Sequence, residues 1–161
     1  MTNHFQEPLR VDLATNGGDA RLLSSFTYRD QAHGTISVPA GFETDFASVK
    51  PLRTIAWILL ALSLVVGWFW PSMGAFIGSL GYGAFALYAG VVGYGDAAAV
   101  IHDRLYFTAE LGRKEADQVF YNALRSSGVA RWRAWLMWAG VRLGGARRYG
   151  SFRWRGISAT K

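Results

Sequence analysis

The sequence predicts an α+β fold. A small antiparallel β region stands at the N-terminus, a transmembrane helical hairpin is inserted after it, and a bundle of three helices closes the chain. Three observations lead to this reading. Residues 5–50 hold short apolar runs separated by turn-forming residues. Residues 54–95 contain no Asp, Glu, Lys, Arg or His. From residue 96 onward polar residues return, with apolar ones recurring at helical spacing. The parts are 1–53, β-rich; 54–95, the hairpin; and 96–161, a helical part that completes the domain begun by 1–53 and ends in a basic tail.

In the β-rich part, residues 9–13 alternate weakly, and residues 21–28 and 35–38 are further strand candidates. Asn16-Gly17-Gly18-Asp19 and residues 30–34 supply turns between them. Pro39-Ala40-Gly41-Phe42 ends the last strand and opens a loop through Glu43, Thr44, Asp45 and Ser48. Asp45 can serve as an oxygen ligand for a metal, or cap a turn with Ser48. His4 and His33 read as surface residues.

The uncharged region divides into residues 54–70 and 73–95, with Pro71-Ser72 between them. Each falls within the roughly 17–25 residues that a membrane crossing takes. Trp68, Phe69 and Trp70 stand at the tip, where interfacial aromatics belong, and Trp57 reads as another bilayer anchor. Lys50 and Arg53 precede the first arm and the tip has no basic residue, so both termini are expected in the cytoplasm. Gly74 and Gly78 are spaced for close helix contact, either between the two arms or between two copies. The competing reading is a helical hairpin buried in a soluble core, for which the 119 residues outside 54–95 supply too little covering protein.

Composition narrows the classes further. The absence of cysteine disfavours a small disulfide-stapled secreted scaffold. The polar first ten residues lack the apolar region of a signal peptide. The formal net charge is +6, and every charged residue from Arg125 onward is basic. Arg147, Arg148, Arg153 and Arg155 suit a solvated tail near anionic phospholipid headgroups. No groove-reading module is recognisable, so no specific nucleic-acid partner is expected.

Helices are predicted over residues 96–109, 113–126 and 130–143. The last mixes Arg131, Arg133 and Arg142 with Trp132, Trp135 and Trp138. It suits a helix lying at a lipid interface, or one packed on the sheet with its arginines in water. On the first helix, residues three and four apart share a face, so Ala99, His102, Asp103 and Tyr106 line one side. Asp117 begins a similar stripe with Phe120, Tyr121 and Leu124 on the next. Antiparallel packing of the two would bring Asp117 to the His102 ring. A histidine so held can act as general base, with the carboxylate orienting it, and Asp103 could hold a hard cation such as calcium. A polar cluster that only stabilises the fold is the alternative.

The segment Asp96 to Tyr106, with its His102-Asp103 pair and Tyr106 three places beyond, resembles the signature helix of small calcium-dependent phospholipases of the A-two type. Ala98, Ala99 and Leu105 stand where secreted members carry cysteines. The resemblance implies that His102 activates water, Asp103 binds calcium and Asp117 orients His102, with Tyr106 supporting the network. The glycine-rich calcium loop of those enzymes has no copy here; residues 41–48, with Asp45, are the nearest substitute. A longer resemblance runs through Val38-Pro39-Ala40-Gly41-Phe42-Glu43-Thr44-Asp45-Phe46-Ala47-Ser48-Val49, then residues 98–106 and 116–120. It is similar to the family known as domain of unknown function 1353, widespread in bacteriophages and prophages. That resemblance implies a phage or prophage origin, supplies no established activity, and marks the hairpin as an insertion; such a hairpin in a chain of that origin is expected in the bacterial inner membrane. Two functions follow as expectations: a membrane-anchored, calcium-dependent lipid ester hydrolase, or a non-enzymatic phage accessory protein that binds a host or virion protein.

Overall fold

The structure is a computed structural model and describes residues 2–13, 20–44 and 50–150, apart from the side chains of residues 50–52 and 147. Among the described residues the architecture is α+β, with two small antiparallel sheets followed by five α-helices. The chain divides into two compact units, Met1–Phe46 with Gly95–Lys161, and Ala47–Tyr94.

In the first unit, β1 (His4–Phe5), β4 (Phe26–Asp30) and β5 (Gly34–Val38) form one sheet in the order β1-β4-β5. The second sheet has the order β2-β3-β6, from β2 (Val11–Leu13), β3 (Ala20–Leu22) and β6 (Glu43–Thr44). The expected single strand over 21–28 is two strands in two sheets. Leu22 pairs with Val11, whereas Phe26 pairs with Val38. Ser24 and Ser25 interrupt the apolar run where the chain crosses between sheets. Neither β1 nor β6 was expected, because two-residue strands leave no periodicity to read. The expected turn at 16–19 lies outside the described residues.

Central strand β4 buries Phe26, Thr27, Tyr28 and Asp30, while edge strand β5 alternates, with Ile36 and Val38 inward. This is the pattern expected when one strand is covered on both faces and its neighbour on one. Phe5 closes over Phe26 and Tyr28, at ring separations of 5.4 and 4.8 Å. The turn after β4 is held by Asp30, whose Oδ1 accepts from the backbone N–H of Ala32 at 2.9 Å and of His33 at 3.1 Å. The same oxygen meets His33 Nδ1 at 3.1 Å, and Oδ2 accepts from Asn122 Nδ2 at 2.9 Å. Burial pushes the Asp30 carboxyl up, but the bonds from Asn122, His33 and Ala32 outweigh it and hold the group below the usual carboxylate range. His33 is therefore a half-buried partner of Asp30 rather than the surface residue expected from sequence; His4 is exposed, as expected.

Helices α3 (Asp96–Thr108), α4 (Arg113–Ser126) and α5 (Arg131–Gly144) match the predicted ranges within a residue or two, and a short 3-10 turn (Gly145–Arg147) follows. Gly95 takes φ 83° to start α3, and a Cβ there would fall 2.3 Å from Leu124 Cδ2. Glycine is required on both counts. Glu115 accepts from the N–H of Gly112 at 2.9 Å, the half of a capping box that a glycine N-cap permits.

The second unit is a helical hairpin of α1 (Lys50–Phe69) and α2 (Pro71–Val91). Pro71 is the first residue of α2 rather than part of a two-residue link. A proline disfavours helical geometry in the residue before it, and Trp70 alone leaves the helical region, at φ −137° and ψ 87°. The arms run antiparallel. Position 74 meets 67, 78 meets 63, 81 meets 60, and the Phe85 ring lies 6.1 Å from Trp57. Glycine makes this crossing close: a Cβ on Gly74 would stand 2.3 Å from Gly67 Cα and 2.8 Å from the Ser63 carbonyl oxygen. Gly74, Gly78 and Gly81 are all buried, and each faces α1. Outside this seam most large apolar side chains are exposed, Trp68 by 85% and Leu64 by 79%. Among the described residues, α2 is the helix long and apolar enough to cross a membrane by length and composition; the apolar part of α1, Arg53–Phe69, is shorter.

Gly74→Ala should therefore force the arms apart, at the cost of about 1–3 kcal/mol typical of overpacking. Gly83→Ala should have little effect, because nothing lies within 4 Å of its added Cβ. Thermal unfolding of the two variants in detergent, followed by circular dichroism, checks this contrast.

Candidate functional site

The stripes on α3 and α4 face each other. Ala98, Ala99, Ile101, His102, Leu105 and Tyr106 are buried on α3, and Ala116, Asp117, Val119, Phe120, Ala123 and Leu124 on α4. The 109–112 link folds α4 back on α3, and Asp117, 0% exposed, meets His102, 4% exposed. His102 Nε2 lies 3.1 Å from Asp117 Oδ1. Tyr106 donates its hydroxyl to the same oxygen at 2.6 Å. The three predicted residues His102, Tyr106 and Asp117 are thus brought together.

The fourth member was missed from the sequence. Arg142 of α5 donates Nη1 to Asp117 Oδ2 at 2.7 Å. Its position among tryptophans pointed to water or lipid, and nothing in the spacing within α5 could reveal a partner on α4. Arg113, at the start of α4, donates Nη2 to the carbonyls of Val141 and Arg142, which ties the end of α5 to the site. Gly145 was missed as well: a Cβ there would stand 2.6 Å from the Tyr106 hydroxyl. Tyr149 packs edge-on against Tyr106 at 5.4 Å and donates to the Leu111 carbonyl at 2.7 Å.

Burial alone would raise the Asp117 pKa, but the bonds from His102, Tyr106 and Arg142 outweigh it and hold the carboxyl below the usual range. An ionised carboxylate only accepts, so Nε2 of His102 carries the proton it shares with Asp117. Burial, with the bond to Asp117 second, pushes the Tyr106 phenol up to about 12 and keeps it a donor. The His102 ring is held between Tyr106 and Phe120, at centroid distances of 4.0 and 4.8 Å. In this tautomer Nδ1 carries no proton.

Asp103 points elsewhere. It is half-buried, and its Oδ2 accepts from Thr44 Oγ1 of β6 at 2.5 Å. Thr44 directly precedes Asp45, which lies outside the described residues together with the expected cap to Ser48. Calcium takes six to eight oxygen ligands, and the described residues bring no three His, Asp or Glu close enough to hold a metal ion. The described donors thus do not fit a complete calcium site.

The architecture and site define a class: an α+β protein whose helical layer encloses a histidine–carboxylate pair. Residues 20–63 and 84–141 match the family described as "Protein of unknown function (DUF1353)", and the chain belongs to that family. His102, Tyr106, Asp117, Asp103 and Thr44 all fall inside the match, whereas Arg142 lies one residue beyond it. The unmatched 64–83 is the part of the hairpin around its turn. No curated protein and no solved structure matches the chain.

Because Asp117 is held low, its ionised network stabilises the fold at every pH above the unfolded-chain value of about 3.9. That stability is lost as pH falls through the lower folded value. Urea unfolding at stepped pH should show this acid limb in the native protein, and a lower, flatter profile in Asp117→Asn. At neutral pH, Tyr106→Phe should cost roughly 1.5–3 kcal/mol, the worth of one hydrogen bond to a charged group.

Proposed function

We propose that the chain is a lipid ester hydrolase anchored in the bacterial inner membrane by the α1–α2 hairpin. The observation that carries this reading is the bond between His102 Nε2 and the buried Asp117, reinforced by Tyr106. A histidine oriented in this way through one nitrogen is equipped as a general base through the other.

In the proposed reaction, Nδ1 of His102 takes a proton from water and the water oxygen bonds to the ester carbonyl carbon. The tetrahedral intermediate then expels the alcohol oxygen, which takes the proton back from Nδ1. Asp117 stabilises the imidazolium that exists between the two transfers. Asp103 and Asp45 are the cation ligands expected from the sequence, and no step is routed through a cation. The resemblance to calcium-dependent phospholipases supports the ester class, and the anionic phospholipid of a bacterial membrane is the proposed substrate.

The exposed apolar side chains of the hairpin support anchoring, and α3 starts within a few residues of the end of α2. With both termini cytoplasmic, the site would work on the inner leaflet.

Arg142 favours a second reading. It already neutralises Asp117, which lessens what the carboxylate can offer an imidazolium. On this reading the cluster is structural, and the chain is a phage or prophage accessory protein that binds a host or virion protein.

Fatty-acid release from phosphatidylglycerol vesicles by the reconstituted full chain separates the two, with and without calcium and chelator. The hydrolase reading expects turnover that falls by at least roughly 100-fold in His102→Asn, the usual scale for a lost general base. Turnover unchanged in that variant, or none with any divalent cation, contradicts it. If the cluster is only structural, His102→Asn lowers the melting temperature and calcium leaves melting unmoved.

A further inference from the structure

Helix α5 packs by one face and leaves the opposite one apolar. Ala134, Met137 and Val141 are buried, marking the side that joins the protein. At 100° per residue, the side opposite is centred on Trp132, Ala139 and Leu143, with Trp135 and Leu136 beside them. Trp132 is 52% exposed, Trp135 57% and Leu143 88%. Neighbouring α4 shows what an ordinary water-facing side looks like in this protein: its exposed residues are Lys114, Glu115 and Gln118. No charge interrupts the outward centre of α5; the charges stand at its borders. Arg131 and Arg142 flank it on one side and Arg133 on the other, with the Arg133 guanidinium 5.0 Å from the Trp132 ring centroid.

We infer that this face of α5 docks on the surface of an anionic bilayer, with Trp132, Trp135 and Leu143 at the boundary between headgroups and acyl chains. Tryptophan favours that depth, and an apolar centre bordered by arginine is the pattern of a helix lying in the interface plane. The charge around it is complementary to anionic lipid, since Arg148 follows on the exposed surface and no acidic residue occurs after Arg125. A second copy is the poorer occupant. In a two-fold contact the patch meets itself, which would bring the exposed Arg131 of one copy toward that of the other, and no acidic residue follows Arg125 to offset the repulsion. The inference stands whether or not the His102 site turns over an ester.

The chain has no cysteine, so one can be placed at will. Leu143→Cys and, as control, Gln118→Cys are labelled with an environment-sensitive fluorophore in the full-length protein. Each is reconstituted in vesicles of phosphatidylcholine alone or with phosphatidylglycerol. The inference expects emission at position 143 to shift to the blue with phosphatidylglycerol, less with phosphatidylcholine alone, and not at position 118. Arg131→Gln with Arg148→Gln should shrink the difference between the lipids. Water-like emission at 143 in both lipids overturns the inference, as does a shift that ignores lipid charge. Efficient disulfide cross-linking between Leu143→Cys copies also overturns it, because the face then meets a second copy. None of these readouts uses turnover, so a catalytically silent protein is distinguished from a wrong docking face.

Discussion

A carboxylate with no exposure to water must be bonded on both oxygens or it protonates. Asp117 meets that demand with three donors from two neighbouring helices: His102 on α3, Tyr106 one turn further along α3, and Arg142 from α5. The packing of the helical layer follows from this. Phe120 seats the imidazole, Gly145 leaves room for the phenol, and Arg113 holds the end of α5 so that Arg142 can reach. Asp30 plays the matching part between sheet and helix, joining the β4–β5 turn to Asn122 of α4. Two buried carboxylates thus bracket α4, one toward each layer.

The same carboxylate carries a tension. Three donors make Asp117 a firm anchor for the imidazole, yet the arginine spends part of the negative charge that would favour a protonated ring. Buried ion pairs of this kind are weak evidence for stability in themselves, and removing one partner is what costs. Arg142 lies beyond the residues matched by the family, whereas the histidine, tyrosine and aspartate lie within them. The pair and its tyrosine therefore lie in the part of this chain that matches the family model, and the arginine lies one residue past its end.

What could be read from the sequence follows from periodicity. Helices α3 and α4 are long enough for their buried stripes to stand out, and a four-residue link leaves them little choice but to meet, so His102, Tyr106 and Asp117 were legible together. Arg142 was not, because its partner lies on another helix and its own surroundings in the sequence are apolar and aromatic. Strands of two or three residues leave too little pattern, and the two-sheet arrangement depends on pairings such as Ala20 with Thr44 that no local signal announces. The hairpin was legible from its lack of charge. Its single-residue turn rests on how Pro71 displaces Trp70, and its register on which glycines meet which backbone, both matters of three-dimensional fit.

The central claim is that Asp117 fixes the His102 ring by accepting a proton-bearing Nε2, leaving Nδ1 unprotonated. Nitrogen-detected NMR of the imidazole in the full-length protein near neutral pH reports the tautomer directly. The account predicts a single His102 species protonated on Nε2 and unprotonated on Nδ1, converted to a tautomer mixture in Asp117→Asn. A native ring protonated on Nδ1 alone, or one averaging freely between both forms, would contradict it.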